Sequence, residues 1–120
     1  MSQVFKYKAY GYTIWKGKNT TPKDTLWKQI NMLAVLDTNN DLLKLYGKKE
    51  NSYSLIKNAS CPDSGDENIM LCFEAIDKEG DKSTVSILLA KQRGDDGKLR
   101  GILTIEYSGV AILYSIKSEE

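Results

Sequence analysis

Aromatic side chains with polar tips are the residues of this chain whose types suit binding chemistry. They recur from end to end as Tyr7, Trp15, Trp27, Tyr46, Tyr53 and Tyr114. Such rings stack on flat ligands, and their hydroxyl or indole N–H groups form hydrogen bonds when buried. Lys16, Lys44 or Lys57 could neutralise an anionic ligand. We therefore predict a ligand site among these rings and Lys44; the alternative is that the rings are core residues with their tips at a rim.

Catalytic and metal-binding residue types are scarce. The chain has no histidine, which removes the commonest general base and the Ser-His and Cys-His nucleophile systems. Its two cysteines make a zinc site implausible, and no glycine-rich phosphate loop occurs. The acidic turns at 77–81 and 94–97 do not match the EF-hand spacing. The sequence predicts no catalytic residue, metal or cofactor and favours a binding protein over an enzyme using Tyr, Lys or carboxylates.

Apolar and polar residues alternate with a period of two along most of the chain, which predicts eight β-strands. The clearest case is 99–117, where two alternating runs flank Ser108-Gly109 as in a hairpin. The earlier strands are predicted at 3–16, 30–36, 42–46, 53–57, 68–76 and 82–91. In the first, Phe5, Tyr7, Ala9, Thr13 and Trp15 share one face. Gly11 predicts a bulge there, and the TPKD sequence at 21–24 predicts a short helix over 22–28.

Short connections favour an antiparallel meander, and closing it into an up-and-down barrel removes the exposed edges. We therefore predict one all-β domain over 1–120, an eight-stranded barrel with one short helix; a two-sheet β-sandwich is the alternative. Several strands are apolar on both faces, so either the helix or a second copy of the chain should cover part of the outside. The outer side chains at issue are Leu33, Val35, Met70, Ile102 and Leu113.

The net charge of +1 gives no reason to expect nucleic acid or a membrane as a partner. Residues 1–60 carry a balance of +6 and residues 61–120 a balance of −5, which suggests a protein-interaction surface or only a difference between early and late strands. No apolar run approaches the roughly 20 residues of a membrane span, and the first residues lack the apolar region of a secretory signal. A cytoplasmic location is predicted.

Cys61 lies in a turn-rich segment and Cys72 in a predicted strand. Two cysteines are too few for the disulfide framework of a small secreted scaffold. Two reduced thiols are therefore the favoured interpretation, and a Cys61–Cys72 bridge closing the short loop is the alternative.

Three segments carry a resemblance: the aromatic-flanked run WKQINMLAVLDTNNDLLKLY at 27–46, the hairpin IMLCFEAIDKEGDKSTVSILL at 69–89 and LTIEYSGVAILYSIK at 103–117. Together they resemble the small lipocalin-like (calycin-type) β-barrel proteins of bacterial and phage genomes. The resemblance implies the barrel, and with it a role in sequestering a small molecule or contacting a protein. The Gly-x-Trp motif of secreted lipocalins is absent, since Gly11 and Trp15 have a different spacing.

These observations lead to a functional hypothesis and its alternatives. The first is a non-enzymatic module that binds a small molecule at the barrel mouth; in a phage it would suit an inhibitor or sponge of a host signal. The second is an interaction or inhibitor protein with a filled barrel, gripping a partner or a second copy of itself. A lipocalin-like enzyme is the third.

Overall fold

Eight antiparallel strands make up the structure, a computed structural model that describes residues 4–16, 27–59, 61, 68–92 and 94–118. In chain order they are β1 (Val4–Lys16), β2 (Lys28–Asp37), β3 (Leu42–Tyr46), β4 (Glu50–Asn58), β5 (Asn68–Asp77), β6 (Lys82–Ala90), β7 (Arg100–Tyr107) and β8 (Val110–Ser118). Each pairs with the next, and β8 returns to pair with β1. The predicted all-β barrel is confirmed, and the alternative of a sandwich is wrong because the ladder closes.

Local turn chemistry explains the short connections. Between β5 and β6 the Asp77 carboxylate accepts hydrogen bonds from the backbone N–H groups of Glu79 and Asp81, at 3.0 and 2.9 Å. The β7–β8 turn places Gly109 at a φ of 82°, a left-handed conformation that glycine adopts without a steric penalty. The hairpins predicted at both places are confirmed.

Large aliphatic side chains fill the centre of the barrel. Residues that pair directly across antiparallel strands project to the same side, so the register identifies the interior face of each strand. The most completely buried side chains there are Leu36, Leu43, Leu45, Val85, Ile87, Leu103, Ile105 and Ile116. An eight-stranded barrel is just wide enough to be filled by its own side chains, and this one is filled at its middle.

Close packing of the wall makes one glycine necessary. Gly101 of β7 lies between Leu89 of β6 and Ile116 of β8. A Cβ atom at this position would overlap the backbone carbonyl oxygen of Leu88. Any larger residue must therefore push β6 and β7 apart.

A bulge exchanges the two faces of β1. The register against β2 and β8 shifts between Ala9 and Gly11, which confirms the predicted irregularity. Tyr7 and Ala9 lie on the interior face, but beyond the bulge Thr13 and Trp15 lie on the outer face. The prediction that all of them share one face is wrong, because one extra residue reverses the alternation of side chains.

The cysteines form a bridge. Cys61 and Cys72 are joined by a disulfide across a sequence separation of 11 residues, with their Cα atoms 5.6 Å apart. Cys72 projects from the outer face of β5, so the bridge ties the β4–β5 connection to the outside of the wall. The favoured interpretation of two reduced thiols is wrong, and the alternative is confirmed.

The short helix predicted over 22–28 lies largely outside the described residues. Of its last two positions, Trp27 has no regular structure and Lys28 begins β2, so the prediction is wrong there. The residues that the structure describes contain no helix, and therefore none long and apolar enough to cross a membrane.

The register places the five outer apolar side chains as the sequence predicts. Met70, Leu88 and Ile102 pair directly with one another across β5, β6 and β7 on the outer face. Leu33 and Val35 lie on the outer face of β2, and Leu113 lies on that of β8. The barrel thus carries apolar residues outside as well as inside.

Candidate functional site

The packing loosens at the end of the barrel that holds the β3–β4, β5–β6 and β7–β8 turns. Ala75 of β5 and Ser83 of β6 pair directly on the interior face there. Both are small, so they leave space that leucine and isoleucine occupy farther down. The β6–β7 ladder ends at Thr84 and Glu106, short of the next pair of interior positions. The wall therefore opens beside these small residues.

An open cavity of about 770 Å³ lies over this opening, on the outer side of the wall close to the mouth; we call it the mouth groove. Its lining comes from four strands and the β7–β8 turn: Ile56, Lys57, Glu74, Ala75, Lys82, Ser83, Thr84, Glu106, Tyr107, Ser108 and Gly109. A second bulge lies between Leu55 and Lys57, and the side chain of Ile56 at this bulge is 53% exposed. Ligand sites commonly have about 300–1,000 Å³, so the groove has the volume for a small molecule.

The Ser83 hydroxyl distinguishes this groove from a featureless surface depression. Ser83 is only 7% exposed, and its Oγ has no hydrogen-bond partner among the described residues. Leaving a buried hydroxyl without a partner costs about 1–3 kcal/mol. A native fold rarely retains such a group unless a water molecule or a ligand completes it.

The charges of the groove balance. The Lys57 Nζ lies 3.4 Å from the Glu74 Oε2, which neutralises one pair. Lys82 and Glu106 line the groove without an ion pair to any residue that the structure describes. One positive and one negative side chain are thus left for a ligand.

Tyr107 separates the groove from a smaller polar cavity of about 180 Å³, which is lined by residues of β4, β7 and the β5–β6 turn. Its hydroxyl donates a hydrogen bond of 2.9 Å to the Asp77 Oδ2 and is also hydrogen-bonded to the Tyr53 hydroxyl. Above them the Lys78 ammonium donates to the Glu50 carbonyl oxygen at 2.6 Å, which joins two turns across the mouth. This network fixes one wall of the mouth groove.

Burial keeps the mouth tyrosines neutral. It raises the pKa of Tyr107 above the usual range for a phenol, and the hydrogen bonds of Tyr107 with Tyr53 and Asp77 act in the same direction. Burial likewise raises the pKa of Tyr114 to about 12 and that of Tyr53 above its ordinary value. These phenols are therefore protonated at neutral pH and can donate hydrogen bonds.

The pKa of the Asp77 carboxylate is shifted in the opposite direction, below its ordinary value. The backbone N–H of Asp81 lowers the pKa of Asp77 most, and the Tyr107 hydroxyl contributes to the same shift. The group is therefore ionised at neutral pH. Its oxygens are occupied by the turn and by Tyr107, so its role is to hold the mouth together.

The structure brings some of the predicted site residues together and separates the rest. Tyr53 and Tyr114 lie on the interior face but do not line the mouth groove. Tyr114 stacks in a tilted arrangement on Tyr12, with ring centres 6.4 Å apart. Tyr7 is a core residue. The outer face carries Trp15, Lys44 and Tyr46, and the exposed Trp27 lies beside Gly11.

Sequence reasoning missed most of the mouth groove. Of the lysines considered as anion partners, Lys57 does line it, but Ser83, Lys82, Glu106 and Tyr107 were not singled out. The sequence does contain a signal for the groove. The other interior positions of β5 and β6 hold large apolar residues, whereas Ala75 and Ser83 are small. Their adjacency depends on the β5–β6 register, which a turn of known length could have supplied.

The comparisons leave the family open. No protein-family model matches the chain, and neither a curated protein nor a solved structure matches it. Within the described ranges, no group of three or more His, Cys, Asp or Glu side chains is placed to hold a metal ion. The geometry of the mouth is therefore the basis for a function.

Proposed function

We propose that this protein binds a small molecule at the barrel mouth without transforming it chemically. The observation that carries the proposal is the buried Ser83 hydroxyl, which lines a groove of about 770 Å³ and has no hydrogen-bond partner in the described part of the chain. A ligand that forms a hydrogen bond with this group removes the cost of leaving it unsatisfied. The filled centre of the barrel directs a ligand to the mouth and not to the interior.

The surrounding chemistry supports binding over catalysis. The sequence supplies no histidine, and the tyrosines of the mouth have raised pKa values. Paired carboxylates of an acid–base mechanism need environments that push their pKa values apart. Glu74 is held in an ion pair with Lys57. These features suit recognition by hydrogen bonds and charge.

Filling the groove with a bulky side chain at Thr84 tests this proposal. Thr84 and Ser86 are both on the outer face of β6, but only Thr84 lines the groove. Thr84→Trp should abolish the thermal stabilisation produced by any metabolite found in a screen, and Ser86→Trp should preserve it. At a ligand concentration 100 times Kd, the wild type should gain about 2.7 kcal/mol, or roughly 10 °C. Equal responses of both variants would contradict the assignment of the site.

A second candidate function, association with another copy of the chain, is favoured by the outer row of Met70, Leu88 and Ile102. Apolar side chains directly opposite one another on an outer sheet face are typical of interfaces. Native mass spectrometry separates the two candidates, since a dimer without ligand supports association. Ile102→Lys should then shift sedimentation toward the monomer and leave the β-sheet circular dichroism spectrum unchanged.

The disulfide bears on where the protein acts. Disulfides persist in oxidising compartments and are rare in the cytosol, so the Cys61–Cys72 bridge favours an extracytoplasmic site over the cytoplasmic one expected from the sequence. Origin in a bacterial or phage genome, and sequestration of a host signal there, remain implications of the resemblance. Measuring the free thiols of the protein taken directly from cells distinguishes the two locations.

A further inference from the structure

The charged residues of the mouth groove restrict the kind of ligand that fits it. Two lysines and two glutamates line the groove, so it has no net charge and no field that would attract a strongly anionic or cationic molecule. Lys57 and Glu74 neutralise each other at 3.4 Å. Lys82 and Glu106 keep unpaired charges of opposite sign, as far as the described residues extend.

The register sets the distance between the backbone positions of Lys82 and Glu106. Glu106 pairs directly with Thr84 on the neighbouring strand, and Lys82 lies two residues before Thr84 on the same face. Strands are about 4.8 Å apart and two residues span about 6.7 Å, which gives a diagonal on the order of 8 Å between the two backbone positions. Two extended residues of a peptide reach about 7 Å.

The remaining lining suits the same kind of molecule. The Ser83 hydroxyl has no partner among the residues that the structure describes. It lies on the interior face, beside the place where the β6–β7 ladder ends at Thr84 and Glu106, so a peptide amide or carbonyl group that enters between these strands could complete it. Ile56 presents a half-exposed apolar side chain to the groove. A ligand with two opposite terminal charges, a central amide and an apolar side chain would satisfy all of these groups.

We propose that the ligand is a short peptide-like zwitterion, whose carboxylate pairs with Lys82 and whose ammonium group pairs with Glu106. This inference rests on the proposed function, since it names the ligand class of the same groove. Unpaired charges at exposed positions contribute little to stability. In this proposal the charges of Lys82 and Glu106 serve to bind the two ends of the ligand.

Three forms of one probe test the charge requirement. The dipeptide leucyl-leucine, its N-acetylated form and its C-terminal amide share both side chains and the central amide, and each capped form lacks one terminal charge. We expect leucyl-leucine to bind with the lowest Kd in NMR titrations and to shift the amide signals of Ser83, Thr84 and Tyr107. Each capped form should bind about two- to fivefold more weakly, the range of a partly exposed ion pair.

Charge exchange in the protein provides the decisive control. Lys82→Glu and Glu106→Lys should each weaken binding of leucyl-leucine by a similar factor. The double variant Lys82→Glu/Glu106→Lys should recover it, because a zwitterion can bind with its ends reversed. Lys91→Glu, at the far end of β6 and outside the groove, should have no effect.

The possible outcomes distinguish failure of the zwitterionic ligand from failure of the proposed binding function. Equal affinity for the free and capped dipeptides, or no recovery in the double variant, overturns the zwitterion. So does the absence of shifts at a dipeptide concentration of 10 mM. The proposed function survives any of these results if another compound still loses its thermal stabilisation in Thr84→Trp, and it fails if no compound does.

Discussion

Replacing Ile105 by alanine tests the packing of the barrel centre, on which the location of the binding site depends. Ile105 is 0% exposed and lies directly opposite Val85 and Ile112 on the interior face of β7. Truncating a fully buried isoleucine costs about 2–5 kcal/mol, because lost burial and a residual cavity add together. Strands paired on both sides prevent β7 from collapsing into the space, which favours the upper half of that range.

The loss converts into a measurable shift in thermal stability. A domain of 120 residues has an unfolding entropy of about 0.25 kcal/mol/K, so a loss of about 3.5–5 kcal/mol in Ile105→Ala should lower Tm by about 14–20 °C. Thermal unfolding followed by far-ultraviolet circular dichroism measures it, and the native spectrum should be dominated by β-structure. Ile112→Ala should cost less, since Ile112 is half-buried, and Thr104→Ala on the outer face should cost about 1 kcal/mol or less.

Equal losses for Ile105→Ala and Thr104→Ala would refute the reasoning. They would mean that the two faces of β7 are exchanged, because a slip of one residue moves every side chain to the other face. If Ile105 pointed outward, the centre of the barrel would not be filled by it, and a ligand could bind there instead of at the mouth.

Other perturbations have equally definite outcomes. Gly101→Ala should lower Tm by several degrees, since its methyl group would overlap a backbone carbonyl oxygen of β6. Reducing the Cys61–Cys72 bridge with dithiothreitol should cost about 2–3 kcal/mol in urea unfolding, and no change would contradict the bridge. The folded-state pKa of Asp77 is lowered, so its stabilisation is present above the unfolded pKa of about 3.9 and is lost as the pH falls through the folded value. Tyr107→Phe removes one of the hydrogen bonds that lower this pKa, so the loss of stability should be less steep as the pH falls below about 5; an unchanged profile would exclude the hydrogen bond.

The fold could be predicted because its signal is local. Alternation along single strands and turn residues such as Ser108-Gly109 identify the strands, and closure follows from the need to remove edges. The bulge at Gly11 could also be located from the sequence. Its effect on Thr13 and Trp15 could not, because a glycine shows where a ladder becomes irregular without showing how many residues are extra.

The site could be predicted only in part because it depends on pairing between strands. Single aromatic residues such as Tyr53 and Tyr114 stand out in the sequence, and both lie on the interior face. Ser83 and Ala75 attract no attention singly, and they matter because the register sets them side by side. The disulfide could not be predicted over two reduced thiols for the same reason. The proximity of Cys61 to Cys72 depends on how the connection before β5 returns to the outer face of the barrel.

The most direct test of binding at the mouth is an NMR titration of the isotopically labelled protein with the metabolite that raises Tm most. The account predicts that the largest amide shifts fall on Ser83, Thr84 and Tyr107, and that they vanish in Thr84→Trp but persist in Ser86→Trp. Shifts concentrated on Ile87 and Leu103 would place the ligand in the barrel centre and would contradict the account.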